Sequence, residues 1–226
     1  MSRGEHHRIH AQDRSQRTRL RIAQEAARLM SEHGIRDFHH AKLKAAERLG
    51  IIDDQALPRN HEIEEALREH QRIFKGDSQP QALRARREAA VEGMFFLRGF
   101  DPRLVGPVLE GTADEHSAVC LHVFSENPEA VPLFLTEHGI PFGTQVRRLR
   151  MTREDQAEFT ALTFNADGIA FDLTVLPHDA LRQAPLDRVD EKPMRRANRT
   201  AVQAMLTEED LAQWDSQSST VSGSSR

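Results

Sequence analysis

Two apolar segments of this chain alternate with a period of two, and each presents one uniformly apolar face and one mixed face. Along 118–124, Val119, Leu121 and Val123 share a face, and Ala118, Cys120, His122 and Phe124 share the other. Along 169–176, Ile169, Phe171, Leu173 and Val175 share a face, which leaves Asp172 with Ala170, Thr174 and Leu176. Strands of this kind belong to a sheet that buries one face under helices and leaves the other open. With 226 residues the chain can enclose a true core, in one domain or two small ones.

Helical signals surround these strands. Between residues 18 and 50, Leu20, Ile22, Ala23, Ala26, Ala27, Leu29 and Met30 recur at helical spacing up to a stop at Gly34. Leu43, Ala45, Ala46 and Leu49 then form a second helix ending at Gly50. A linker, IIDDQALPR, precedes a third helix that Asn60 is expected to cap, with Ile63, Ala66, Leu67, His70 and Phe74 on one face. A long helix is expected over 82–97, and another from Asn127-Pro128-Glu129 through His138 to Gly139. Residues 146–151 and 159–164 read as strands, Asn165-Ala166-Asp167-Gly168 as a hairpin turn, and residues from about Thr200 as a short closing helix. The expected class is therefore α/β of the α+β kind. A flexible basic arm (1–17) leads into a helical region (18–75), then an α/β domain (82–206) and a disordered tail (215–226).

Charge is unevenly spread. Residues 1–50 hold 11 Lys/Arg against 6 Asp/Glu, and the rest of the chain holds 20 against 29, so a basic segment precedes an acidic body of overall charge −4. The lone Cys120 has no disulfide partner and no zinc-type Cys/His spacing occurs, which suits a reducing cytoplasm. MSRGEHHRIH has no apolar signal core, and no run reaches the roughly eighteen apolar residues of a membrane span, so neither export nor a membrane partner is expected.

Residues 104–124, LVGPVLEGTADEHSAVCLHVF, resemble the catalytic strand-turn-strand of the polymerase-β-like nucleotidyltransferases, most closely the small stand-alone ones. In that family an apolar strand ends in Gly-Ser, a small-residue turn carries a second Gly, and the next strand opens Ser-Asp-x-Asp. Here Gly106-Pro107, Gly111 and Ser117-Ala118-Val119-Cys120 stand at those places. The resemblance, which covers roughly residues 82–178, implies a mixed sheet with helices on one face. It also implies that Pro107 replaces a phosphate-contacting serine and that Ala118 and Cys120 replace two metal-binding aspartates. Asp172, in IAFDLTVLP, resembles the third carboxylate. The chemistry of the family sets divalent cations, usually Mg²⁺, between carboxylate oxygens and substrate phosphates, and neither alanine nor a soft thiol is a ligand for such hard ions.

The resemblance, with its replaced aspartates, implies a degenerate enzyme with a binding or regulatory role and no cofactor. Its pocket is lined by Gly106, Pro107, Gly111, Ser117, Ala118, Cys120, His122 and Asp172 and takes a nucleotide or a protein partner. Cys120, His122 and Asp172 are its catalytic candidates, since a Cys/His/Asp group invites a nucleophile reading. Two alternatives stand beside it. One is an active nucleotidyltransferase that recruits Mg²⁺ through Asp114, Glu115 and Asp172. The other is nucleic-acid binding through Arg17, Arg19, Arg21, Arg28, Lys42 and Lys44. For the latter, RIAQEAARLMSEHGIRDFHHAKLKAAERLG resembles the opening of TetR-type regulators, although the acidic LGIIDDQALPRN stands where an aromatic recognition helix would be expected. His6, His7 and His10, and His39 with His40, are further metal candidates.

Overall fold

In a computed structural model of the protein, residues 3–53, 56–74, 78–152, 154–187 and 191–222 are described, with side chains from residue 15 to 212 and at Trp214. The chain forms two compact units, one from residues up to Gln79 and the other chiefly from Pro80–Asp187 and the residues from Lys192 onward.

The first unit is helical: α1 (Arg3–His33), α2 (Phe38–Arg48) and α3 (Asn60–Phe74). Its core is built from Ile22, Ala23, Ala26 and Leu29 of α1, Ala41, Ala45 and Ala46 of α2, and Ile63 of α3. Alanines at the contacts let the helix axes approach closely. Residues 3–17, expected as a flexible arm, are helical and run into α1, because neither Gly nor Pro interrupts the chain between Glu5 and His33. Asp37 caps α2 by accepting from the backbone N–H of His40 at 2.8 Å. Asn60 instead opens α3 as its first residue, and its Oδ1 accepts from Lys42 at 2.9 Å.

The second unit is an α+β structure. Its elements are α4 (Ser78–Phe96), β1 (Arg103–Val105), α5 (Pro107–Glu110), β2 (Val119–Phe124), α6 (Ala130–Glu137), β3 (Gly143–Arg150), β4 (Gln156–Ala166), β5 (Ile169–Leu176) and α7 (Arg199–Ser222). Residues 215–222 of the expected tail thus belong to α7, which meets no breaker before Gly223. The five strands form one mixed sheet in the order β1-β2-β5-β4-β3. β2 and β5 run parallel at its centre and every other pair is antiparallel. The parallel pair is joined through α6 and the β3-β4 hairpin. The β4-β5 turn is the two-residue Asp167-Gly168, both with positive φ (49° and 81°), the geometry that suits an Asp-Gly hairpin.

Helices cover one face. Val119, Leu121, Val123, Phe171, Leu173 and Val175 are buried against Ala90 and Met94 of α4, Val131 and Leu135 of α6, and Val202 of α7. α4 lies so close to the sheet that a Cβ on Gly93 would come within 2.6 Å of the Phe171 ring. The mixed face is not open, as its alternation had suggested. Phe124, Leu149, Leu176 and Ala180 form a second, small apolar cluster there, roofed by the 3₁₀ turn His178–Leu181. Sequence alternation reads a strand's own side chains and is silent about the loop that returns over them.

Candidate functional site

The mixed face carries two short rows of side chains. Cys120 of β2 and Asp172 of β5 are register partners, and His122 and Thr174 form the next pair along the same two strands. Partners in adjacent strands share a face, so Cys120, His122 and Asp172 are brought together. Ala118 sits one residue ahead of β2.

Arg147 of β3 reaches into the first row from two rows away. It reaches diagonally across β4, from its register partner Phe159 past the small Ala161 toward Thr163, the partner of Asp172, and forms a bidentate pair with Asp172: Nη1 donates to Oδ1 at 2.8 Å and Nη2 to Oδ2 at 2.7 Å. Nη1 also donates to the Thr174 hydroxyl at 2.9 Å. The side chains are 26% and 19% exposed, which places the pair between surface and core. Burial pulls the Arg147 guanidinium toward deprotonation, but the hydrogen bonds and charge of Asp172 more than offset it and hold it above its ordinary value.

His122 occupies the second row, only 3% exposed. Arg196 donates from Nε to its Nδ1 at 3.2 Å and from Nη1 to the Ala180 carbonyl at 2.6 Å, while its guanidinium lies over the Phe124 ring at 5.2 Å. Arg196 points this way because its neighbour Ala197 bridges Leu104 of β1 and is buried in the helix-covered core. Alternation then turns Arg196 to the opposite face. Burial first, then the charges of Arg196 and Arg147, push the imidazole down to about 3. It is therefore neutral, with Nδ1 as acceptor.

The turn between β1 and β2 is locked from beneath. Gly106 has φ 70° and ψ −154°, a conformation essentially confined to glycine, and its Cα faces the Cys120 side chain. Pro107 opens the single turn of α5, and Gly111 ends it in the left-handed region. The buried Asp114 is a turn builder: its Oδ1 accepts from the Ser117 hydroxyl at 3.0 Å and from the His116 N–H at 3.1 Å. Arg86 of α4, also buried, donates to the carbonyls of Ser117 at 2.7 Å and Glu115 at 2.5 Å. The Glu115 carboxylate lies 3.8 Å from the His116 ring.

These positions decide what the site can do chemically. Mg²⁺ would need free carboxylate oxygens in near-octahedral array. Both Asp172 oxygens are engaged by Arg147, Ala118 and Cys120 offer no hard ligand, and Asp114 is committed to its own turn. Among the described residues, no group of three or more His, Cys, Asp or Glu side chains is placed to hold a metal. The residues present do not fit the ion. The Cys/His/Asp grouping is drawn together, but the hydrogen bonds of its members run to other groups: Cys120 Sγ donates to the Ala118 carbonyl at 3.7 Å, while His122 and Asp172 accept from arginines. A histidine that takes up a proton only near pH 3 is a poor base for a thiol. His39 and His40 are exposed at the start of α2, and the side chains of His6, His7 and His10 lie outside the described residues.

In the first unit several basic side chains are satisfied within the chain. Arg28 pairs with Glu25 and Glu32, both at 2.8 Å, and Arg48 with Glu25 at 3.3 Å. Lys42 donates to the Pro58 carbonyl at 2.8 Å and to Asn60, and burial holds its amine below the ordinary value.

Sequence reading missed Arg103, Arg147 and Arg196. Arg147 had a signal, since it lies on an exposed strand with its own alternation, but its reach across β4 depends on register. Arg196 lies in an irregular segment and had none. No protein-family model matches the chain, and no curated protein matches it. What stands is the class: a two-unit protein whose second unit is an α+β domain with a five-stranded mixed sheet. Among the described residues, no helix is long and apolar enough to cross a membrane.

Proposed function

We propose that this protein is a nucleotidyltransferase-like binding or regulatory protein of the cytoplasm that does not transfer nucleotides. The observation that carries the reading is the Arg147–Asp172 pair. In a strand-turn-strand that resembles the catalytic motif of those enzymes, the one carboxylate left at a motif position is neutralised by a bidentate guanidinium. A triphosphate carries its cations into a site only if concentrated negative charge receives them. Here Arg147 balances Asp172 beside Cys120, and Arg196 on the neighbouring His122 adds a cation with no carboxylate partner among the described residues, so the local charge has the opposite sign. Further support comes from the helix-covered mixed sheet with parallel central strands and from the Gly106 and Gly111 turn.

The test is a transfer assay with purified protein, Mg²⁺ or Mn²⁺, each labelled nucleoside triphosphate in turn, and both nucleic-acid and protein acceptors. No incorporation above background is expected, with Asp172→Ala indistinguishable from wild type. Incorporation abolished by Asp172→Ala would establish the enzyme alternative instead.

A further inference from the structure

We propose that the arginine-lined end of the mixed face is a metal-independent oxyanion site, in which Arg103 and Arg196 take a phosphate or pyrophosphate group. The proposal rests on the non-catalytic reading above and names the ligand class that such a site would bind.

Charge is the first argument. Three guanidiniums bear on this face: the charges of Arg196 and Arg147 act on His122, and that of Arg103 acts on Arg196. Arg147 has Asp172 as its counterion, whereas Arg103 and Arg196 have no carboxylate among their hydrogen-bonding partners in the described residues. Arg103 donates from Nη1 to the carbonyls of Asp101 at 2.9 Å and Pro102 at 3.0 Å. Arg196 uses Nε on His122 and Nη1 on Ala180, and its Nη2 is buried without a hydrogen-bond partner. A guanidinium offers five donors, and a buried donor left unmatched costs free energy until an acceptor meets it. Burial and then the neighbouring charge of Arg103 lower Arg196 to about 10, so it stays cationic at neutral pH while lacking the carboxylate that such a group normally takes.

Geometry is the second. Arg103 of β1 is the register partner of His122, and Arg196 donates to that same imidazole. The two arginines therefore flank one side chain on one face. His122, neutral and locked as an acceptor, adds no charge and holds Arg196 by its Nε–H, while the Asp101 and Pro102 carbonyls hold Arg103. Arg103 and Arg196 are each only half-buried as residues, although Nη2 of Arg196 is itself shielded from solvent, so a small anion approaches from the exposed side of the pair. A tetrahedral oxyanion presents several acceptor oxygens and suits two neighbouring guanidiniums better than a planar carboxylate does. No cation enters this scheme.

Calorimetric titration with inorganic phosphate, pyrophosphate and a nucleoside diphosphate, all in EDTA at matched ionic strength, tests it. The expected Kd for pyrophosphate is roughly 0.1 to 1 mM, the range that a few charge-assisted hydrogen bonds supply. Arg103→Gln, which leaves the contacts of Arg196 in place, should weaken binding about tenfold, and Arg196→Gln should weaken it at least as much. A nucleoside diphosphate binding more tightly than pyrophosphate would assign the phosphoryl group to a nucleotide, and equal binding would assign it to a free phosphate, each supporting the site. Absence of binding by all three probes would overturn the proposal, as would binding that Arg103→Gln in a folded protein leaves unchanged. Nucleotidyl transfer in Mg²⁺ would instead sink the non-catalytic reading, while arginine-dependent binding in EDTA would stand, so the two failures are separable.

Discussion

Replacing His122 by Asn should spare about 2 kcal/mol of the stability that the sheet unit loses between pH 7 and pH 5. In the folded protein the imidazole takes up a proton only near pH 3, against an ordinary value of 6.5, because protonation would place a cation inside the sheet and against the Nε–H of Arg196. The unfolded chain therefore binds one more proton than the folded chain everywhere between these limits. The contribution of His122 to stability is complete above pH 6.5, falls as pH drops below it, and is exhausted near pH 3. The slope inside that window is about 1.4 kcal/mol per pH unit. Between pH 7 and pH 5 the loss is about 2 kcal/mol, a large part of the stability of an ordinary domain.

Asparagine suits the test because its Oδ1 can accept from Arg196 as Nδ1 does, yet it does not titrate. Urea unfolding followed by circular dichroism at pH 7, 6 and 5 would give the two pH profiles. The variant should be the less stable protein at pH 7, from imperfect packing, and should lose about 2 kcal/mol less than wild type on going to pH 5. Parallel profiles for the two proteins would mean that His122 titrates normally, and the account of its burial between Arg196 and Arg147 would be wrong.

The same geometry sets the outcome of two other perturbations. Asp172→Ala leaves Arg147 half-buried without its counterion and should cost about 2 to 4 kcal/mol in urea unfolding. Adding Arg147→Leu should recover part of that loss, and strictly additive single effects would show that the pair is not coupled. Duplex DNA should bind weakly or not at all at about 0.15 M salt, since Arg28, Lys42 and Arg48 are engaged within the first unit. A submicromolar complex with a log-log salt slope near −0.9 per phosphate would show that the basic helices are a nucleic-acid surface.

The sheet was legible in the sequence to the extent that alternation was. β5 spans the 169–176 that its alternation marks, and the pairing of Cys120 with Asp172 and the common face of His122 are consequences of β2 and β5 being neighbours. The Asp167-Gly168 turn was legible because so few residues adopt positive φ twice in succession. The length of α1 was not. A run of polar residues without Gly or Pro is compatible with either helix or coil, and only the absence of breakers favours the helix. The expected open face failed for a different reason. What covers it is the turn after β5 and the side chain of Arg196, neither of which belongs to a periodic element.

The arginines carry the same lesson into the site. Arg147 stands 25 positions from Asp172 and two strands away in the sheet, so no local pattern links them. Their meeting requires β4 to pass between, with Phe159 opposite Arg147, Thr163 opposite Asp172 and the small Ala161 in the row between those two. Arg196 depends on a further condition: its neighbour Ala197 has to bridge β1 at Leu104, which fixes the inward side chain and thereby the outward one. A reading centred on missing carboxylates sees a site from which charge has been removed. Register and edge pairing place arginines there, so the charge of the face is reversed. Loss of acidic ligands alone would leave a neutral pocket indifferent to anions, whereas this arrangement gives two guanidiniums a neutral imidazole between them and leaves their excess charge for an anion to balance.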